Sequence, residues 1–246
     1  MEYLLEECSA YRSKIIKNTP IFIFDSHNMA LPVWGTIRQK SRAALHLISF
    51  DTHADTRAAF TRAIYGEYFI YDKFTFDKFK KKILSSYHCD AKDFIFKDVF
   101  YLAIELVAHD EQIMVAEYYN YINRYTLFCD LDEDEALEYQ MTDRRQRLAA
   151  TYYTKHKILE MSATDLSSLC QEPFILDFDL DYFTHSDIIT NETFQNKVCL
   201  LIKSAVAITI AREEECFNLK KVDENFSNNQ ALQMLLNFIE QKLIEE

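Results

Sequence analysis

Glycine occurs only twice in the 246 residues, at Gly35 and Gly66, and proline only three times. Phosphate-cradling loops of the G-x-G-x-x-G or G-x-x-x-x-G-K type need several glycines close together, so dinucleotide-binding and P-loop readings are excluded. Collagen-like and linker-rich architectures are excluded with them. No apolar run approaches the roughly 18 residues of a membrane span, and the first twenty residues lack the basic-then-apolar pattern of a secretory signal. The six cysteines include no C-x-x-C pair, and several lie in apolar runs. They read as buried thiols in a reducing cytoplasm. Basic residues are outnumbered 27 to 39, a net charge of −12. A chain of that sign repels phosphate backbones, which argues against a nucleic-acid partner. The one lysine cluster, Lys78 to Lys82, reads as the solvated face of a helix.

Apolar residues make up 49% of the chain and aromatics 14%, enough to bury a full core. The expectation is one domain over residues 1–246. Apolar runs alternate with helical patterns. Strands are expected at Ile21–Phe24, Leu45–Phe50, Val99–Ile104, Tyr125–Cys129, near Lys157–Met161, at Phe174–Asp181 and at Val206–Ala211. Helices are expected at Tyr71–Ser86, with Phe74, Ile83 and Leu84 on the apolar side, and at Glu111–Asn123, Glu192–Ser204 and Asn229–Leu243. Residues Asp130 to Arg147 read as exposed loop with some helix. The pattern predicts a three-layer α/β/α fold with a mainly parallel central sheet.

Ligands of open α/β sheets gather beyond the carboxyl ends of the strands, and three strands end in ionisable clusters: Asp25/His27, Asp51/His53/Asp55 and Asp177/Asp179/Asp181. Within each the spacing is two residues, which on an extended strand places the side chains on one face. Several carboxylates on one buried face resist ionisation unless a cation compensates them. Imidazoles and carboxylates without a thiolate suit Mn²⁺ better than structural Zn²⁺, with Fe²⁺, Co²⁺ and Zn²⁺ also possible.

These residues resemble a family. Asp51-Thr-His53-Ala-Asp55 is similar to the D-A-H-x-D motif of the arginase (ureohydrolase) superfamily, and Phe178-Asp179-Leu-Asp181 to its S-F-D-x-D segment. Phe24-Asp25-Ser-His27-Asn resembles the earlier G-G-D-H-S strand end, and the three occur in family order. The resemblance covers the chain from about Ile21 to the closing helix. It is nearest to a divergent branch, typified also by Ala207-Ile-Thr-Ile-Ala-Arg212, that includes bacterial peptide arginases of ribosomal-peptide biosynthesis.

The resemblance implies an arginase-like fold and two Mn²⁺ ions held by His27, Asp51, His53, Asp55, Asp179 and Asp181. Asp177 stands where arginases have a serine, and it and Asp25 are expected to orient neighbours. The double glycine before the histidine and the G-x-D-P after D-x-D are missing, which removes loops that read a free amino acid. The implied activity is hydrolysis of arginine in a precursor peptide to ornithine and urea. His109 is expected to shuttle a proton, and Glu213, or else Glu215, to hold the guanidinium. A free arginine or agmatine ureohydrolase, another metal-dependent amidohydrolase, and a metal-retaining binding module are the competing readings. His46, His88, His156 and His185 read as packing or surface residues.

Overall fold

The structure is a computed structural model that describes residues 11–41, 43–65, 73–82, 84–130 and 149–245. In chain order the elements begin with β1 (Tyr11–Ile16), β2 (Thr19–Phe24), α1 (Ala30–Lys40), β3 (Leu45–Phe50), α2 (Thr61–Tyr65) and α3 (Lys73–Lys82). There follow α4 (Phe96–Leu106), α5 (Gln112–Tyr118), β4 (Ile122–Cys129), β5 (Ala149–Thr154), α6 (Lys157–Glu160) and α7 (Ala163–Leu169). The chain closes with β6 (Phe174–Asp179), α8 (Ser186–Thr190), α9 (Glu192–Ser204), β7 (Ala207–Ala211), α10 (Glu214–Lys220) and α11 (Asn228–Ile244). No helix among the described residues is long and apolar enough to cross a membrane.

The chain divides into two compact units. One holds the residues up to Asp25, 45–54 and 124 onward; the other holds 26–44 and 55–123. The first unit contains a seven-stranded sheet in the order β1-β2-β7-β6-β3-β4-β5. The β2–β7, β7–β6, β6–β3 and β4–β5 pairings are parallel, and β1–β2 is an antiparallel hairpin. That hairpin turns through Lys17 and Asn18, both at positive φ, as two-residue turns between twisted strands require.

Register decides what each face carries. Phe50 lies opposite Phe178, and Phe178 opposite Ile210. These residues, with Ile48, Leu176 and Ile208, join one continuous core together with Phe194, Val198, Leu201 and Ile202 of α9 and Leu235 and Ile239 of α11. The opposite parity is also buried, but carries Ser49, Asp177, Asp179 and Thr209 among its apolar members.

In the second unit α1 contains both Pro32 and Gly35. Proline is tolerated in a helix's first turn, where its missing N–H has no intrahelical acceptor. Gly35 lets the Phe94 ring approach the helix backbone closer than a Cβ would permit.

The sheet-and-helix alternation is as expected, with Leu45–Phe50 and Glu192–Ser204 at the anticipated bounds. Two expected strands are corrected. Val99–Ile104 lies inside helix α4, whose buried residues Val99, Leu102 and Ala103 follow the helical spacing i, i+3, i+4; a continuous apolar run conceals that period. Lys157–Met161 is the short helix α6 burying Ile158, and the strand lies upstream at β5. The expected strand Phe174–Asp181 stops at Asp179, and Leu180–Phe183 turn as a 3₁₀ helix. Nearly all of 130–147, and Phe74 and Ile83 as side chains, lie outside the described residues.

His46 illustrates what burial in this sheet costs. It is 1% exposed, and its Nε2 lies 2.8 Å from Thr126 Oγ1. Burial, with Arg124 nearby, lowers its pKa from 6.5 to about 4. The folded state therefore holds His46 neutral where the unfolded chain would protonate it. This contribution to stability is complete above pH 6.5 and is lost as pH falls toward 4. We expect a loss of about 2 kcal/mol between pH 7 and pH 5 from this residue. Urea denaturation at the two pH values should show that part of the slope vanish in His46→Gln.

Candidate metal centre

At the carboxyl ends of β3 and β6 the chain makes the same local turn twice. Asp51 Oδ1 accepts the His53 N–H at 2.7 Å, and Asp179 Oδ1 accepts the Asp181 N–H at 3.0 Å. A carboxylate that binds the N–H two residues on bends the backbone off the strand. The two-residue spacing therefore acts through this turn for Asp51/His53 and Asp179/Asp181, where an extended face was expected; the pleat explains only Asp177 and Asp179. The two turns are tied together by Thr52, whose N–H donates to Asp181 Oδ1 at 3.2 Å and whose hydroxyl donates to the Asp181 carbonyl at 2.9 Å.

The result is a compact donor set. One ligand atom each from Asp51, His53 and Asp181 lie within 4.8 Å of one another. His53 Nδ1 is 3.0 Å from Asp181 Oδ2 and 3.8 Å from Asp51 Oδ1. The register that pairs Phe50 with Phe178 sets Asp179 beside Asp51 at the next position. Asp51, Asp179 and Asp181 are at most 1% exposed, whereas nearly half of the His53 side chain is open. Two carboxylate oxygens and an imidazole nitrogen, backed by a third buried carboxylate, fit a first-row divalent cation. Such an ion would also offset the cost of burying like charges together.

Asp177, fully buried on the same face, has a different position. Its Oδ2 accepts from Ser49 Oγ at 2.9 Å, and its Oδ1 accepts from the Thr209 hydroxyl. Ser49, Asp177 and Thr209 lie in line across three neighbouring strands, so register alone assembles this bracket under the donor set.

Asp25 is exposed and paired to Arg212 at 2.9 Å. Arg212 is held in turn by Asn228 and Asn229. Glu213 follows in the left-handed region, φ 34° and ψ 58°, a conformation that costs a non-glycine residue about 1–3 kcal/mol. It is half-buried, and its N–H donates to the Asp25 carbonyl at 3.1 Å. The Cys216 thiol is pushed up to about 12 by burial and then by its bond to the Glu213 carboxylate, with Asp181 and Asp179 adding to the shift. Glu213 thus belongs to the same electrostatic neighbourhood as the carboxylates, while Glu215 is exposed on α10. Lys155 supplies a nearby cation. Its ammonium lies 4.7 Å from the Tyr182 ring centre, and burial pulls its pKa down while Asp130 and Asp181 hold it up.

The second unit contains the remaining anticipated residues. His27 is fully buried, with Nδ1 2.8 Å from Asp55 Oδ2 and its ring edge-on to Trp34. Asp55 sits at φ 51° and accepts a further hydrogen bond from the buried Gln112 amide. His109 is exposed in the turn before α5. The division between units falls after Asp25 and after Ala54, so each of the first two motifs contributes residues to both.

The sequence matches no protein-family model and no curated protein. The arginase resemblance rests on the motif residues themselves.

Sequence reasoning singled out Asp177 but passed over Cys216, Lys155 and the Ser49 and Thr209 partners that complete the Asp177 bracket. None has a local signal: the bracket depends on strand order and register, and the other two on which loops meet at one sheet end.

Removing the bracket's centre isolates its structural part. We expect Asp177→Ala to leave two buried hydroxyls without their acceptor and to lower the stability of the metal-free protein by about 2–4 kcal/mol in urea denaturation.

Proposed function

We propose that the protein is a cytoplasmic, Mn²⁺-dependent hydrolase of the arginase kind, converting arginine in a precursor peptide to ornithine with release of urea. The observation that supports this reading best is the convergence of Asp51, His53 and Asp181, with Asp179 alongside, at the carboxyl ends of two paired parallel strands. The mainly parallel seven-stranded sheet is the framework that an arginase-like α/β/α fold requires. In this reading Asp51, His53, Asp179 and Asp181 hold metal, and the resemblance adds His27 and Asp55 as ligands.

A divalent cation so held lowers the pKa of water enough to supply hydroxide at neutral pH. The chain's own residues do the rest. The Glu213 carboxylate accepts hydrogen bonds from the guanidinium, a charge-assisted pairing that orients the reacting carbon. The Cys216 thiol stays protonated through the neutral range and donates to Glu213, which fixes that carboxylate's direction. Water adds at the guanidinium carbon, the bond from that carbon to the substrate's side-chain nitrogen breaks, and urea leaves. The departing amine must gain a proton, which the resemblance assigns to His109.

The test is a urea assay on Mn²⁺-loaded protein with an arginine peptide and with free arginine in parallel, read also by mass as a loss of about 42 Da per residue (arginine minus ornithine). We expect turnover of the peptide. Asp51→Ala and Asp181→Ala should each reduce it at least a hundredfold and lower the bound Mn²⁺ found by elemental analysis. Urea from free arginine but not the peptide would make the protein an ordinary ureohydrolase. Silence on both with metal bound would set the arginase reading aside.

A further inference from the structure

The first unit contains a cavity of about 190 Å³ whose lining lies wholly between Lys155 and Phe194. Its apolar walls are Ile158 and Leu159 of α6, Ile188 of α8 and Phe194 of α9, with Tyr182 from the turn after β6. An apolar cavity of about 150 Å³ stays dry and holds a benzene-sized molecule. The space here therefore takes one ring or one branched hydrocarbon with a short chain, and excludes anything as large as a nucleotide.

Lys155 decides the chemistry. Tyr182 seats it at two points: the Tyr182 hydroxyl donates to the Lys155 carbonyl at 3.0 Å, and the Lys155 ammonium lies 4.7 Å from the Tyr182 ring centre. Tyr182 is 1% exposed and packs edge-on against Phe50 at 5.5 Å, so the amine rests on a fixed support. Among the described residues the ammonium makes no hydrogen bond and no ion pair. Asp130 and Asp181 act on it only at longer range, opposed by Lys220. A half-buried ammonium without a counter-ion bears a desolvation cost that an anion offsets. The other polar side chains of the lining suit the same sign. Asn191 Oδ1 already accepts the Phe194 N–H at 2.9 Å, which leaves its amide N–H groups to donate. His156 adds an exposed imidazole. The one acid on the lining, Asp187, has 81% of its side chain in solvent and lies 3.2 Å from His185 Nδ1.

We propose that this cavity binds a small apolar carboxylic acid, with its ring or branched chain among Ile158, Leu159, Ile188 and Phe194 and its carboxylate paired to Lys155. The site goes beyond the arginase reading and does not rest on it. Its ligand is recognised by a hydrocarbon body and one negative charge, without a guanidinium and without a metal.

Isothermal titration calorimetry on the whole, metal-free protein tests it with three probes: phenylacetate, its neutral analogue phenylacetamide, and acetate, which keeps the charge and lacks the ring. We expect phenylacetate to bind at least tenfold more tightly than either of the others. Lys155→Met keeps an unbranched stem and removes the charge, so it should bring phenylacetate down to the affinity of phenylacetamide and leave phenylacetamide unchanged. Ile188→Trp fills the cavity and should abolish binding of both ring-bearing probes. Urea midpoints check the fold of the two variants, and the ranking of probes on the unaltered protein decides the matter even if a variant unfolds. Equal affinity for acid and amide, acetate binding as tightly as phenylacetate, or no binding of phenylacetate at millimolar concentration overturns the site. So does phenylacetate binding that appears only when Mn²⁺ is added, because the carboxylate would then be a ligand of the metal. Urea production without phenylacetate binding removes the site and leaves the arginase reading intact. Lys155-dependent phenylacetate binding without urea from any substrate does the reverse.

Discussion

The alignment of β3, β6 and β7 is the constraint on which the candidate centre depends. Pairing Ser49 with Asp177 and Asp177 with Thr209 gives the buried Asp177 carboxylate a hydroxyl on each side. One position further along, the same alignment sets Asp51 beside Asp179. A slip of one residue in β6 would turn its acidic side chains to the other face and its aromatic ones away from the core. Phe50 and Phe178, stacked at 5.4 Å on the opposite face, hold the register against that slip. The apolar core and the polar end of the sheet are thus two sides of one pairing.

Much of this was legible in the chain. Each acidic cluster follows an apolar run, and Leu45–Phe50 and Phe174–Asp179 are strands because short, mainly apolar runs suit a sheet buried on both faces. The candidate ligands were found by their position at those strand ends. What could not be read is equally specific. Val99–Ile104 has strand-like composition, and only its packing shows the helical period. The strand Ala149–Thr154 gave way to its more apolar neighbour at Ile158. The αL backbone of Glu213 and the thiol beneath its carboxylate arise from how β7 leaves the sheet, which no short window of sequence describes.

Electrostatics gives the two units different characters. In the sheet unit, carboxylates converge on a single imidazole, and the groups around them respond: Cys216 and Lys155 are both shifted away from their charged forms by burial. In the other unit, the buried acids are already matched. Glu111 is tied to two main-chain donors, and Asp55 to an imidazole and an amide. Burial raises the pKa of Glu111, while those two donors act to lower it. An acid so placed is a fastener for backbone, and the chain segments it fastens can present unpaired side chains without losing their positions.

The twin turns at Asp51 and Asp179 have a further consequence for how this protein can change over generations. In each, one carboxylate both closes the turn and points toward the donor cluster, so a heritable loss of the acid removes a backbone fastening and a candidate ligand in the same step. Chemistry and local architecture are pleiotropic at these two positions. A lineage in which the donor cluster fell out of use would not shed these acids at no cost, and the motif would persist as architecture.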